Sequence, residues 1–296
     1  MIANIFADES LYNALANQSN KDENRNLIKH MIFNCIRSYK KKFGAQYGNI
    51  VICCDGRRSW RKDEFEFYKA NRKKARDEST IDFEMVFEVM NETLEDLKNF
   101  FPYPVIKLDC AEGDDVIAVI VRWGKDNLVS SQGLFEEPEH MMILSSDRDF
   151  VQLQKYPNVK QYSFTQKKEV VPEKSPKLDL LEKILTGDKG DGVPNICSAG
   201  NTFVTEGARQ KPFKKVRFDD FAKAADPLDA CLSDDEKKNF IRNQKLIDLD
   251  YIPENVYNLI VGELQSQLDK KPNKMNMMNY FISKGMKLLL QDIGDF

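Results

Sequence analysis

Histidine is almost absent from this 296-residue chain: there are two, His30 and His140, and neither stands near a cysteine. The six cysteines, Cys35, Cys53, Cys54, Cys110, Cys197 and Cys231, show no CxxC spacing. A structural zinc site therefore has no ligand set, and a reduced, intracellular setting is the expectation. No apolar run reaches the ~18–20 residues of a membrane helix. No basic stretch followed by an apolar one marks a signal peptide. With 14 glycines and 11 prolines the chain is neither fibrous nor low-complexity, and it shows no internal repeat. Net charge is also scarce: 44 Lys+Arg against 47 Asp+Glu leave −3. Taken alone, that balance argues against nucleic acid as a partner. The charges are not mixed, however, and their sorting is informative.

The length suggests about two domains at roughly 150 residues each. Segments 49–55, 104–109 and 141–147 read as buried strands. Between them Phe83, Val86, Phe87, Met90, Leu94 and Leu97, then Val116, Ile117, Ile120 and Val121, recur at helical spacing. Strands alternating with helices predict parallel βαβ units, with ligands beyond the carboxyl ends of the strands. From about residue 178 strand signals give way to charged helical ones, so the expected division is 1–177 and 178–296.

Four acidic groupings stand out: Asp55 closing a strand, Glu112-Gly113-Asp114-Asp115 opening a helix, Asp147-Arg148-Asp149 after a strand, and Asp188 with Asp191 in a Gly-rich turn. Each alone reads equally well as a cap or turn former. Several converging on one sheet edge would repel one another unless cations neutralised them. Hard divalent ions fit such oxygen-only sets, which points to a two-ion Mg2+ site, with Mn2+ as a substitute, for phosphodiester hydrolysis.

Segment 57–76 carries Arg57, Arg58, Arg61, Lys62, Lys69, Arg72, Lys73, Lys74 and Arg76 against Asp63, Glu64 and Glu66. Trp60, Phe65, Phe67 and Tyr68 are interleaved with them. A solvated charged helix explains the cations. Aromatics among them also suit stacking on unpaired bases. A second cluster, Arg209, Lys211, Lys214, Lys215 and Arg217, contains no acid. Cysteines 53 and 54 sit in a strand, where packing explains them better than redox chemistry.

Several stretches together resemble the flap-endonuclease family of 5′ nucleases, and most closely its bacteriophage branch. They are Cys54-Asp55, Trp60-Arg61-Lys62-Asp63, Tyr68-Lys69-Ala70-Asn71-Arg72, Ala75-Arg76-Asp77-Glu78-Ser79-Thr80, Glu112-Gly113-Asp114-Asp115, Ile143 to Phe150, Gly187-Asp188-Lys189-Gly190-Asp191 and Ile247 to Glu254. The resemblance implies an α/β fold: a mainly parallel, twisted sheet flanked by helices (PIN/5′-nuclease-like), and a helical C-terminal part with a helix–three-turn–helix element. It implies a 5′→3′ exonuclease and flap endonuclease that uses two Mg2+ ions on RNA/DNA and DNA/DNA duplexes and removes lagging-strand RNA primers. By the same resemblance, Asp55, Asp114 and Asp147 match the first metal's ligands. Glu112, Asp115 and Asp149 match shared or water-mediated acids, and Asp188 and Asp191 the second metal's acids. Tyr68, Lys69 and Arg72 match an arch spanning about 57–80, which Arg57, Arg58, Arg61, Lys62 and Lys73 extend. Gly190 and Gly192 belong to a turn expected to hold duplex phosphates through its amides. Implied partners are duplexes with 5′ ends or flaps, a single-strand-binding protein and a sliding clamp. The protein is expected to be a monomer, intracellular (host cytoplasm if viral). The terminal 288–296 reads as a packed or frayed helix in preference to a clamp-docking peptide.

One departure stands out. Family members begin with a strand ending in a metal-binding Asp, whereas Met1 to Phe6 reads here as the helix that follows it, with Asp8 inside that helix. The expectation is that the first strand and its Asp are missing through a late start. Two rival readings follow: a catalytically impaired binder of branched DNA, and a PIN-type single-strand ribonuclease. The first is disfavoured by the other acids and the second by the arch and Gly-rich turn.

Overall fold

The computed structural model describes residues 1–3, 21–72, 82–130, 137–271 and 273–296. Among them a six-stranded sheet runs in the order β3-β2-β1-β6-β7-β8. Its strands are β1 (Ile2–Ala3), β2 (Val51–Cys54), β3 (Val105–Lys107), β6 (Met141–Leu144), β7 (Val159–Ser163) and β8 (Lys168–Glu169). All pairings are parallel except β7 with β8. A small antiparallel pair, β4 (Val129–Ser130) and β5 (Glu137–Pro138), stands apart.

The expected loss of the first strand is overturned. β1 is the central strand, with Ile2 opposite Val51 and Ile143, and Ala3 opposite Ile52 and Leu144. Two buried residues flanked on both sides by buried strands have their backbone groups satisfied by pairing alone. So short a strand has no period-2 pattern to read, which is why the sequence suggested a helix. The residue after it is Asn4, not an acid. Asn4, Ile5, Phe6 and Asp8 lie outside the described residues, as do Lys73 and the rest of the expected arch to Thr80.

Helices α1 (Lys21–Tyr47), α2 (Arg61–Glu64), α3 (Phe83–Phe100) and α4 (Gly113–Asn127) belong to the first half. The second half contributes α5 (Pro176–Thr186), α6 (Phe218–Lys223), α7 (Asp234–Ile247), α8 (Glu254–Gln267), α9 (Lys274–Ser283) and α10 (Lys287–Gln291). Caps fix their starts. Asp82 accepts the Met85 amide at α3, Asp115 reaches back to the Glu112 amide at α4, and Ser175 precedes Pro176 at α5. No helix among the described residues is long and apolar enough to cross a membrane.

Three apolar cores form, and they cross the boundary expected at 177/178. One face of the sheet packs Ile28, Ile32, Phe33 and Val89 with Met277, Tyr280, Phe281 and Leu289 from the C-terminal helices. The other packs Val116, Ile120 and Phe150 with Leu249, Val256, Ile260 and Leu264. A third core joins Phe65 and Tyr68 to Ile184, Leu185, Phe221, Phe240 and Leu246. The C-terminal helices thus close both faces of the sheet, while α5, α6 and α7 pack with the segment after β2. Helices α5 and α7 pack together, with a series of turns from 187 to 208 in the intervening chain. Asn243 ties them by donating to the carbonyls of Ile184 and Pro194 at 2.8 and 2.9 Å.

Candidate active site

The chain order of the sheet reverses at β1: β2 and β3 lie on one side, β6 and β7 on the other. The carboxyl ends of the strands beside such a reversal form a crevice. Asp55 follows β2, and Asp147 follows β6 by two serines. Gly56 lets the chain leave β2 tightly, since a Cβ there would lie 1.9 Å from the Leu108 carbonyl oxygen. Asp55 Oδ1 accepts the Gly113 amide at 2.7 Å, at the positive end of α4. Asp147 Oδ1 accepts the Asp149 amide at 2.9 Å and so caps the 3-10 helix over Arg148–Lys155.

Asp114 is the focus of this group. It is half-buried and has no hydrogen-bond or ion-pair partner among the described residues. Burial, then the neighbouring carboxylates of Asp147, Asp55 and Asp149, push its carboxyl far above the usual range. Burial also raises Asp149, to about 6, against the pull of the Lys183 ammonium.

A second group of acids already has cations. Lys183 contacts Asp149 and lies 2.9 Å from Asp188 Oδ2. That ammonium, with the amides of Gly190 and Asp191, holds Asp188 below the usual range although burial opposes it. Lys69 contacts Glu112 and lies 3.8 Å from Asp191, which Arg72 also contacts. Burial would raise Glu112, but Lys69 and Arg61 outweigh it and hold the carboxyl low. The Tyr68 hydroxyl, 2.8 Å from both Glu112 Oε2 and Asp191 Oδ2, shares one proton between two acids. Burial and Asp191 raise its pKa strongly.

Other sequence-predicted residues have different surroundings. Asp115 is fully buried: one oxygen accepts from Trp60 Nε1 at 3.1 Å and the Glu112 amide at 2.9 Å, and the other lies 2.8 Å from Arg61. Arg61, expected among the phosphate-binding cations, is 3% exposed. Its guanidinium pairs with Asp115 and Glu112 and donates to the Leu246 carbonyl at 2.7 Å. It therefore joins the α4 start to α7 inside the protein. The aromatics of the same run do not offer a stacking face: Trp60, Phe65 and Tyr68 are buried and Phe67 is half-buried. Arg57, Arg58 and Lys62 are exposed, with Arg58 paired to Asp63 and Arg57 near Asp109 at 3.9 Å.

The amides of the Gly-rich turn bond within the turn itself, although Lys189 and Gly190 at its tip are exposed. The amides of Asp188 and Val193 pair with each other's carbonyls, the Asp191 amide caps Asp188, and the Gly192 amide donates to Lys189. The Gly190 amide also faces Asp188. The turn's carbonyls hold the segment after β2 instead: Asp191 accepts the Lys69 amide at 2.8 Å, Lys189 accepts Asn71 Nδ2 at 2.8 Å, and Gly190 accepts Arg72 at 3.1 Å. Lys69 has φ 56°, and Gly192 φ +72° with Phe67 O only 3.0 Å from where its Cβ would be. Lys183 was missed in the sequence, where one lysine on a charged amphipathic helix carries no signal. Cys53 and Cys54 are buried, and burial raises both thiols, Cys54 to about 12, as inert core residues.

Among the described residues no three carboxylate, histidine or cysteine side chains already share one ion-binding point. The donor set still suits a hard divalent cation, because such ions keep several waters and take only one or two carboxylates directly. The partnerless Asp114, ringed by Asp55, Asp147 and Asp149, is the observation that fits the group.

Residues 9–180 match the family described as 5′-3′ exonuclease, N-terminal resolvase-like domain, and residues 174–296 the family described as T4 RNase H, C terminal. The ribonuclease H of Enterobacteria phage T4 is 37% identical over 98% of this chain and 94% of its own length. A DNA polymerase I from Rhizobium leguminosarum is 30% identical over 48% of this chain and 13% of its own. Among solved structures, the bacteriophage T5 flap endonuclease in a complex with DNA and metal ions matches with TM-score 0.64 and 16% identity, over 90% of this chain and 98% of that one. The T5 5′-exonuclease with bound zinc matches with TM-score 0.63 and 19% identity, over 90% and 98%. With more than half of its residues matched by that N-terminal family and 37% identity to a ribonuclease H over nearly its whole length, the chain belongs to the 5′-3′ exonuclease family of nucleases.

Proposed function

We propose that this chain is a divalent-metal-dependent 5′→3′ exonuclease and flap endonuclease. In this reading it hydrolyses phosphodiesters of RNA/DNA and DNA/DNA duplexes and removes RNA primers during lagging-strand replication. The supporting observation is Asp114, a partnerless carboxyl among Asp55, Asp147 and Asp149. One or two of Asp55, Asp114 and Asp147 would hold a first ion directly and the others through water. Asp149 would lie between the ions, and Asp188 and Asp191, with Glu112 nearby, would serve a second. When bound, two Mg2+ ions would lower the pKa of an attacking water and offset the charge on the leaving oxygen. The chain's own residues do the rest. Asp55 and Asp147 are fixed in place by backbone amides. Lys69 and Arg72 pair with Glu112 and Asp191 and would be positioned to meet the 5′-strand phosphates of a bound substrate. Lys183 pairs likewise with Asp149 and Asp188. Exposed Arg57, Arg58 and Lys62 contribute sequence-independent attraction to the backbone. Partners are duplexes with 5′ ends or flaps, met by a monomer that works beside a single-strand-binding protein and a sliding clamp.

Incubation of a 5′-labelled flap duplex with Mg2+, against an EDTA control and a free single strand, tests this reading. Short 5′ products only from the flap, and only with metal, are expected. Equal cutting of the free strand would favour a PIN-type ribonuclease instead. A second reading, a branched-DNA binder with impaired catalysis, is favoured by the sequence after β1, which continues with Asn4 where the family resemblance implies a metal-binding Asp. Tight binding without product would support it.

A further inference from the structure

Side chains of β7 hold the turn that presents Asp147 from behind. β7 runs parallel to β6, with Ile143 opposite Gln161 and Leu144 opposite Tyr162. The Ser145 amide adds one more ladder bond, to the Tyr162 carbonyl at 3.1 Å. There the chain leaves the ladder, and the carbonyls of the following turn need other donors. Gln161 supplies them: its Nε2 donates to the Ser145 carbonyl at 3.0 Å and to the Asp147 carbonyl at 2.6 Å. A carboxamide nitrogen carries two hydrogens, and both serve this one turn. Two carbonyl acceptors admit only the nitrogen, which fixes how the amide points. Gln154 Nε2 meets its oxygen at 3.4 Å, and the whole side chain is buried, with Gln161 1% exposed. Ser163, two residues further along the strand, donates to Ser146 Oγ at 3.0 Å, which also accepts the Thr165 amide at 3.1 Å.

We propose that Gln161 is a positioning residue for the reaction: its two hydrogen bonds lock the Ser145-Ser146-Asp147 turn so that Asp147 meets the crevice shared with Asp55 and Asp114. The inference rests on the nuclease reading, in which Asp147 serves the first ion directly or through water. A glutamine buried in a strand is costly unless its amide is fully used. An apolar side chain such as that of Ile143, its neighbour on β6, would fill the space but leave two carbonyls unpaired. The other bonds of Asp147 are local: its amide donates to Ser145 Oγ at 3.2 Å, and its carboxylate accepts the Asp149 amide. Those bonds shape the turn without fixing it to the sheet. Gln161 does fix it, acting through the Asp147 backbone and touching no reacting group. Partners that orient a metal-binding side chain typically carry ~10–100-fold in metal affinity or activity.

The test compares the full wild-type chain with Gln161→Met, Gln161→Asn and Val159→Ala. Gln161→Met keeps the volume and removes both donors. Gln161→Asn keeps the donors but is one methylene too short to reach both carbonyls. Val159→Ala weakens the same strand without touching the turn. Mn2+ binding without nucleic acid, followed by the EPR signal of the free ion, should weaken ~10–100-fold in both Gln161 variants and hold in Val159→Ala. With a 5′-flap duplex in Mg2+, kcat should fall by a similar factor, while KM and flap affinity in EDTA hold. Amide hydrogen exchange in EDTA should quicken over 145–149 and not along the rest of the sheet. Wild-type Mn2+ affinity in either folded Gln161 variant, or an equal loss in Val159→Ala, overturns the positioning role and leaves the nuclease reading intact. Wild type that binds no Mn2+ and cuts no flap overturns the nuclease reading. The exchange difference at 145–149 then decides alone whether Gln161 holds the turn, and its absence overturns that too.

Discussion

Arg61 and Asp115 pair at 2.8 Å with side chains 3% and 0% exposed. An ion pair so deep is held by geometry on both sides: Trp60 and the Glu112 amide complete Asp115, while Leu246 O and Glu112 complete Arg61. Removing one partner strands the other charge. Arg61→Ala or Asp115→Ala is expected to cost about 3–5 kcal/mol in denaturant unfolding. Wild-type stability in both variants would show that the pair is not structural.

Lys183→Met leaves Asp149 and Asp188 without their shared ammonium. The metal-free protein should lose about 2–4 °C of Tm, corresponding to ~1 kcal/mol. Mg2+ should then raise Tm more in the variant than in wild type, because the ion no longer displaces a resident cation. Thermal unfolding in EDTA and in Mg2+ checks this, and an equal or smaller Mg2+ response would contradict it.

Gly56→Ala drives a Cβ into the Leu108 carbonyl, so the end of β2 and the 108–111 connection that leads into α4 must separate. The expected cost is about 2 kcal/mol or more. Because Asp55 adjoins the shift, cleavage should fall further than stability explains. Unfolding and single-turnover rates of the same preparation measure the two effects, and an unaffected cleavage rate would place Asp55 outside the reaction.

Glu236 lies below its ordinary range chiefly because Arg217 hydrogen-bonds its carboxylate. A lowered folded value means stability that is present above the unfolded value of about 4.3. It is lost as pH falls through the folded value. Wild type should therefore lose more stability than Glu236→Gln on acidification from pH 5 to 3. Parallel pH profiles of denaturant midpoints would contradict the assignment.

Continuous apolar runs revealed β2, β3 and β6, and helical spacing revealed α3 and α4, because each run is long enough to stand out locally. The same runs also placed acids at the ends of β2 and β6, since a strand ending in Asp is visible locally. β1 escaped, because two residues have no period and owe their conformation to neighbours about 50 and 140 positions away. Arg61 was misread for a related reason. A cation within a basic run looks solvated until Asp115 and Leu246, distant in sequence, are brought to it. The aromatics beside it pointed to bases and instead fill cores. Lys183 and the internally bonded amides of the Gly-rich turn depend on how α5 sits against the 3-10 helix after β6, which no local pattern encodes.

Asp147→Asn offers the most direct measurement. With a 5′-labelled flap duplex in Mg2+, wild type should release short 5′ products, and the variant none, while binding the flap as tightly as wild type or more tightly. Product from the variant at the wild-type rate, or none from wild type in Mg2+ or Mn2+ despite tight binding, would contradict the assignment of these carboxylates to metal-dependent hydrolysis.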